Sequence, residues 1–233
     1  MTSGPEPGAD AAGSPIQFVT RADDAVVADK PSGWLVHNSA YAGPRERTLV
    51  AEVRAVLGPD WCPVHRLDRQ ASGCVLLCPR NHVVRWQAAW PEADKRYVAL
   101  VRGEFNEEVV VDRPIDGRAA VTRVLPLAVS PVERCSLVEA RPRTGRLHQI
   151  RRHLKHLSHP LLGDANYGKG PLNRDYRARF GLARLALHCV ELVVERSGGG
   201  RLQARAPVPL DLARPLERLF PGLRTLDLYG RRP

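Results

Sequence analysis

One carboxylate, Asp68, stands between Arg66 and Arg69 in the segment HRLDRQASG (65–73), just ahead of an apolar run. A charged loop at the edge of a core strand is a common seat for reactive groups. Nearby guanidinium groups favour the ionised carboxylate, and an anionic Asp can act as a nucleophile. On residue types alone a surface Arg–Asp pair is the commoner explanation, since structural ion pairs outnumber catalytic ones.

A second segment, RTGRLHQIRRHLKH (143–156), opens a helix after a Thr-Gly turn and is dense in Arg and His. Backbone N–H groups at a helix start, joined by side-chain charge, suit phosphate. Arg143, Arg146, His148, Gln149 and Arg152 are therefore candidate phosphate contacts; the bland alternative is a solvated basic helix face. His148, His153, His156 and His159 invite a zinc reading, but no HExxH or CxxC spacing accompanies them, so no metal is expected. A third segment, SHPLLGDANYG (158–168), reads as a structured loop: Pro160 stops the helix, and Gly163 and Gly168 permit tight turns. Its Asp164 is a second candidate acid, better explained as a cap or turn residue.

Short strands and a few helices must position these groups. Strands are expected over 24–30, 73–79, 95–103, 135–140 and 185–194. In 95–103 (KRYVALVRG), Tyr97, Ala99 and Val101 fall on one face and Val98 and Leu100 on the other. Helices are expected over 48–57, 81–90, 147–157 and 210–219; in the third, Leu147, Ile150, Leu154 and Leu157 supply the apolar stripe. SGGG at 197–200 is a turn between two strands. The class is α+β with a largely antiparallel mixed sheet flanked by helices. Residues 1–15 (MTSGPEPGADAAGSP) read as a disordered tail, and 16–233 as one domain.

Composition narrows the partners. Lys+Arg is 35 against Asp+Glu 25, a net charge of +10, mostly arginine. Such a surplus favours polyanions, and the guanidinium fork suits phosphate. Five cysteines without a CxxC pair, no secretory signal and no apolar run of membrane-spanning length point to a cytoplasmic chain with reduced thiols.

HRLDRQASG resembles the catalytic signature of the RluA-type pseudouridine synthases, usually HRLDxxTSG. KRYVALVRG resembles that family's next motif, and TGRLHQIRRHLKHLSHPLLGDANYG its long third motif. DKPSGWLVH (29–37) is similar to its early strand-turn segment, so the resemblance runs from about 16 to 219. Ala71 stands in place of the usual Thr, Ser158 in place of a frequent Gly, and Leu147 in place of Thr or Lys.

The resemblance implies the pseudouridine synthase catalytic fold and isomerisation of a uridine in structured RNA, with no cofactor. Asp68 would attack the uridine at ribose C1′ or at the base. Arg151 would pair with Asp68, Tyr97 would stack on the flipped base, Ile150 would floor it, and Arg66 would help open the RNA. Within the family, KPSGWLVHNS and RPRTGRLHQIRRHLKHLSHP look nearest to the branch acting at position 65 of transfer RNA. A uridine of ribosomal RNA is the alternative target. A non-catalytic RNA-binding protein of this fold is the alternative class, although such a protein should have lost Asp68, Tyr97 or Arg151. The expected assembly is a monomer.

Overall fold

The structure, a computed structural model, describes residues 16–38, 46–196, 199–224 and 228. The tail expected over 1–15 and half of the turn expected over 197–200 lie outside the described residues. The chain opens with β1 (Gln17–Ala22) and β2 (Ala25–Lys30), followed by the helix α1 (Leu49–Leu57). Next come β3 (Trp61–Pro63), β4 (Ser72–Pro79) and the short helix α2 (Val83–Ala89), which has a 3-10 turn at each end, Arg80–His82 and Trp90–Glu92. β5 (Asp94–Arg102), β6 (Val109–Asp112), β7 (Val121–Ser130) and β8 (Cys135–Pro142) form the middle of the chain. The helices α3 (Gln149–His156) and α4 (Gly170–Phe180) precede β9 (Leu187–Glu195), β10 (Arg201–Arg205) and the helix α5 (Leu210–Leu219).

Among the described residues these strands make one sheet, ordered β1-β2-β4-β9-β5-β8-β7-β6, with β3 beside β4 and β10 beside β9. Every pairing is antiparallel except that of β4 with β9. The expected α+β class with a largely antiparallel mixed sheet is what the chain adopts.

The alternation of β5 sets the layers. Tyr97, Ala99 and Val101 join the core cluster on one face, with Leu49 and Val53 of α1 and Ile150 and Leu154 of α3. Val98 and Leu100 join the cluster on the other, with Tyr176 of α4 and Leu212 and Leu216 of α5. Each fully buried aliphatic side chain contributes roughly 1.5–3 kcal/mol. The face that carries α1 and α3 is the one that carries the site.

Two expectations need correction. The helix expected over 147–157 begins at Gln149, and Leu147 lies in the preceding turn, 60% exposed. His148 has φ 54°, a left-handed conformation that cannot continue a helix backwards, so the stripe is Ile150 and Leu154 alone, with Leu157 half-buried. The helix expected over 81–90 is only seven residues of α-helix between its 3-10 turns. No helix among the described residues is long and apolar enough to cross a membrane.

Candidate active site

Asp68 sits in the loop between β3 and β4, and that loop is fastened from below. The Val64 amide donates to Leu76 O (2.9 Å), and the Leu76 amide donates to Nε2 of His65 (3.0 Å). Arg69 O accepts from the Gly33 amide at 2.9 Å and from Lys30 Nζ at 3.1 Å, while Gln70 O accepts from Ser32 Oγ at 2.8 Å. Lys30 is fully buried and also donates to the carbonyls of Pro31 and Trp34, both at 2.8 Å. Burial, helped by the Arg184 charge, pulls its pKa down to about 7. The Pro31-Ser32-Gly33 turn thus clamps the Asp68 loop through backbone oxygens.

Gly73 fixes the far end of that loop. Its φ is +109°, and a Cβ there would lie 2.2 Å from the carbonyl oxygen of Cys189. Only glycine lets β4 approach β9 in the parallel pair Gly73↔Cys189.

α3 brings Arg151 to the same place. Its Nη1 donates to Asp68 Oδ2 at 3.1 Å. Its Nε and Nη2 grip both oxygens of Asp164 at 2.8 Å, a bidentate pair. Asp164 Oδ1 also accepts from the amides of Asn166 (2.9 Å) and Tyr167 (3.0 Å). Burial opposes its ionisation, yet the bonds from Arg151 and the two amides prevail and hold its carboxyl below the usual range. Asp164 is therefore both the turn residue expected from the sequence and the partner that locks the guanidinium against Asp68. Sequence reasoning missed the second role; the signal was an acid thirteen residues after Arg151 across a Pro-terminated helix. Neither of Asp68's sequence neighbours pairs with it: Arg69 bonds Glu46 at 2.7 Å and Gly33 O at 3.1 Å.

A cleft of about 360 Å³ opens over Asp68. Arg66, Tyr97, Arg146, His148, Gln149, Ile150 and Arg151 all line it, so most of the expected site residues are brought together. Arg69, Arg143 and Arg152 are not among its lining residues; Arg152 forms a bidentate pair with Asp116 at 2.8 and 2.9 Å. Val64, Leu67 and Leu187 make much of the remaining wall apolar. Tyr97 is buried, and desolvation pushes its phenol well above the usual range, so it stays neutral. His148 Nε2 lies 4.0 Å from Asp68 Oδ1, and burial lowers its pKa despite that carboxylate.

Gln149 requires a different reading from the RNA contact expected of it. Its Oε1 accepts from Thr144 Oγ1 (2.7 Å) and the Arg146 amide (3.0 Å), and its Nε2 donates to Val121 O and Thr122 Oγ1, both at 3.0 Å. All four of its bonds are spent joining the basic turn to β7. The histidines are likewise dispersed into the fold: His153 bonds Thr122 Oγ1 and Arg113 O, and His159 bonds Arg102 O. Among the described residues no group of three His, Cys, Asp or Glu could hold a metal ion.

A neutral aromatic ring, an apolar wall and one carboxylate fixed by a guanidinium make a pocket for a single flat ring beside an oriented carboxylate. The basic rim of Arg66 and Arg146 suits a polyanion that carries that ring. These are the parts of an RNA base-modifying enzyme. The sequence pattern described as RNA pseudouridylate synthase matches residues 24–156, and the chain belongs to that family, in its RluA branch. It is 34% identical over 226 residues to a protein of Pectobacterium carotovorum named tRNA pseudouridine synthase C, covering 83% of this chain and 60% of that protein. It is 33% identical over 205 residues to the Vibrio cholerae protein of the same name, covering 76% and 84%. The fold resembles that of human RNA Pseudouridylate Synthase Domain Containing 1, with TM-score 0.71 at 23% identity, over 97% of this chain and 96% of that one.

Proposed function

We propose that this protein converts a uridine of transfer RNA to pseudouridine in the cytoplasm, with Asp68 as the nucleophile. The observation that carries the reading is the Asp68–Arg151 pair at 3.1 Å, in a cleft shared with Tyr97. The net reaction breaks the bond from C1′ to N1 and makes one from C1′ to C5. The C5 proton leaves and N1 gains one, so no oxidant, donor or water is consumed. The enzyme's task is to activate the glycosidic bond and retain the detached base while it turns.

Asp68 attacks the target uridine, and Arg151 aims its carboxylate. Tyr97 stacks on the extruded base and assists transfer of the C5 proton; Ile150 closes the apolar floor. Arg66, exposed at the rim, fills the gap the base leaves in the RNA. Transfer RNA is favoured over ribosomal RNA by the names of the relatives, and position 65 by the motif resemblance.

Pseudouridine mapping of total RNA, with and without the gene, tests this. One transfer RNA site should vanish in the deletion, return with the wild-type gene and stay absent with Asp68→Asn. Loss of a ribosomal site instead would overturn the substrate, and restoration by Asp68→Asn would overturn the nucleophile.

A further inference from the structure

Two lysines are buried on the site's side of the sheet, and their surroundings differ. Lys30 spends its three protons on three backbone carbonyls. Lys95, at the start of β5, is 6% exposed and lines the cleft, yet among the described residues its Nζ has no hydrogen-bond acceptor and no carboxylate within ion-pair distance. Its Nζ lies over the ring of Trp90, 5.2 Å from the centroid. Trp90 in turn stacks on His65 at 4.0 Å and 14°, and His65 is pinned by the Leu76 amide. A cation–π contact aims an ammonium but does not replace the water it has lost.

The nearby acids are committed elsewhere. Asp94 bonds Arg141 at 3.1 Å, Asp68 bonds Arg151, and Glu92 is exposed on the 3-10 turn. Burial lowers the Lys95 pKa by more than the charges of Asp94 and Glu92 raise it.

We propose that Lys95, seated on Trp90, is a phosphate-binding residue inside the active-site cleft, and that its ligand is a backbone phosphate of the RNA beside the target uridine. The assignment rests on the reading of the cleft as the uridine's seat. Lys95 lies two residues from Tyr97 on the same strand face, about 7 Å along the strand. That separation matches the reach from a base stacked on Tyr97 to its own or the adjoining phosphate. A phosphodiester brings the full negative charge that the site lacks, whereas a uracil carbonyl brings only a partial one. The bound RNA would thereby be read at two points, ring and phosphate.

The test uses the full chain with Lys95→Met and Lys95→Arg, each confirmed as folded by its urea midpoint, binding an unmodified transfer RNA transcript across a tenfold range of salt. Neutralising one phosphate contributes about 0.7–0.9 to the log–log salt slope. Wild type should therefore lose about five- to eightfold more affinity over that range than Lys95→Met, and Lys95→Arg should keep the wild-type slope. An unchanged slope in Lys95→Met would overturn the phosphate contact. If turnover fell while the slope held, Lys95 would be meeting a neutral uracil oxygen, and the proposal would again fail. In both cases a wild-type protein that still forms pseudouridine leaves the proposed function standing. Wild type that formed none on any cellular RNA would sink the function itself.

Discussion

At the residue scale, the site depends on a shared guanidinium. Arg151 is held by Asp164 on one side and holds Asp68 on the other. Its grip on Asp164 uses two parallel bonds, so the direction of the remaining Nη1 is fixed before any substrate arrives. Removing Arg151 would leave the Asp164 carboxylate, which has no solvent exposure, with only two amide bonds. Breaking a buried pair in this way costs about 3–5 kcal/mol. Arg151→Ala should therefore lose stability of that order as well as activity. Asp164→Asn keeps the shape but loosens the guanidinium, and should lower kcat more than it raises KM for RNA. Chemical denaturation and steady-state kinetics on the two variants measure this. An Arg151→Ala protein as stable as wild type would refute the shared-guanidinium account. Arg151→Lys is not expected to rescue, because a single ammonium cannot span two carboxylates with the same geometry.

At the scale of elements, the loop carrying Asp68 is positioned by backbone oxygens, and the turn after β2 supplies the donors. Lys30→Met would remove three bonds at once and leave the carbonyls of Pro31, Trp34 and Arg69 without that partner. Arg69 O would keep the Gly33 amide, while a buried acceptor left with no donor costs about 1–3 kcal/mol. The expected outcome is a folded but less stable protein whose single-turnover rate falls while its RNA affinity stays within a few-fold. A rate equal to wild type would show that the loop keeps its shape without the clamp. Little of this clamp was legible in the sequence. KPSG reads as a turn, and nothing in its pattern says that its lysine points inward. By contrast β5 was legible to within one residue at each end, with both faces assigned, because its two faces feed two separate cores. α5 was legible too, since Leu212, Leu216 and Leu219 recur at helical spacing and bury one face. β7 was not: Pro126 argues against a strand, and the register slip between Pro126 and Ala128 is what admits it. α4 was missed because it buries little beyond Tyr176, although Pro171 in its first turn and left-handed Gly181 at its end mark its limits. The candidate site was legible in its motif residues, while Lys95 and Asp164 gained their meaning only from what surrounds them in space.

At the scale of the whole molecule, the positive surplus is spread over a scaffold in which many arginines already have partners. Arg96 bonds Glu139 and Glu191, Arg184 bonds Asp211, and Arg123 bonds Glu108. Charge count alone therefore overstates the RNA-facing surface. The molecule as a whole should also lose stability in mild acid, through two histidines held neutral in the fold.

His188 is fully buried and His65 is half-buried beneath Trp90, and burial pulls each pKa down to about 3 from the usual 6.5. The hydrogen bonds explain why neither accepts a proton readily. His65 Nε2 faces the Leu76 amide at 3.0 Å, so a proton there would set donor against donor. His188 Nε2 faces Ala206 O at 3.3 Å and must donate, which leaves Nδ1 to accept from Ser72 Oγ at 2.8 Å. Ser72 can supply that hydrogen because Arg184 already donates to its oxygen at 2.6 Å. In the unfolded chain both rings take up protons below about 6.5, while in the folded chain they do so only near 3. The unfolded state thus binds more protons throughout that window, and stability falls as pH drops. Each histidine contributes up to about 1.4 kcal/mol per pH unit once pH is well below 6.5. Urea unfolding between pH 5 and 6.5 should show this decline, above the range where most carboxylates begin to titrate. His65→Gln, whose amide oxygen can still accept from Leu76, should remove about half of the part the two rings contribute. If the slope in His65→Gln matched wild type, His65 would not be a neutral acceptor held by the fold.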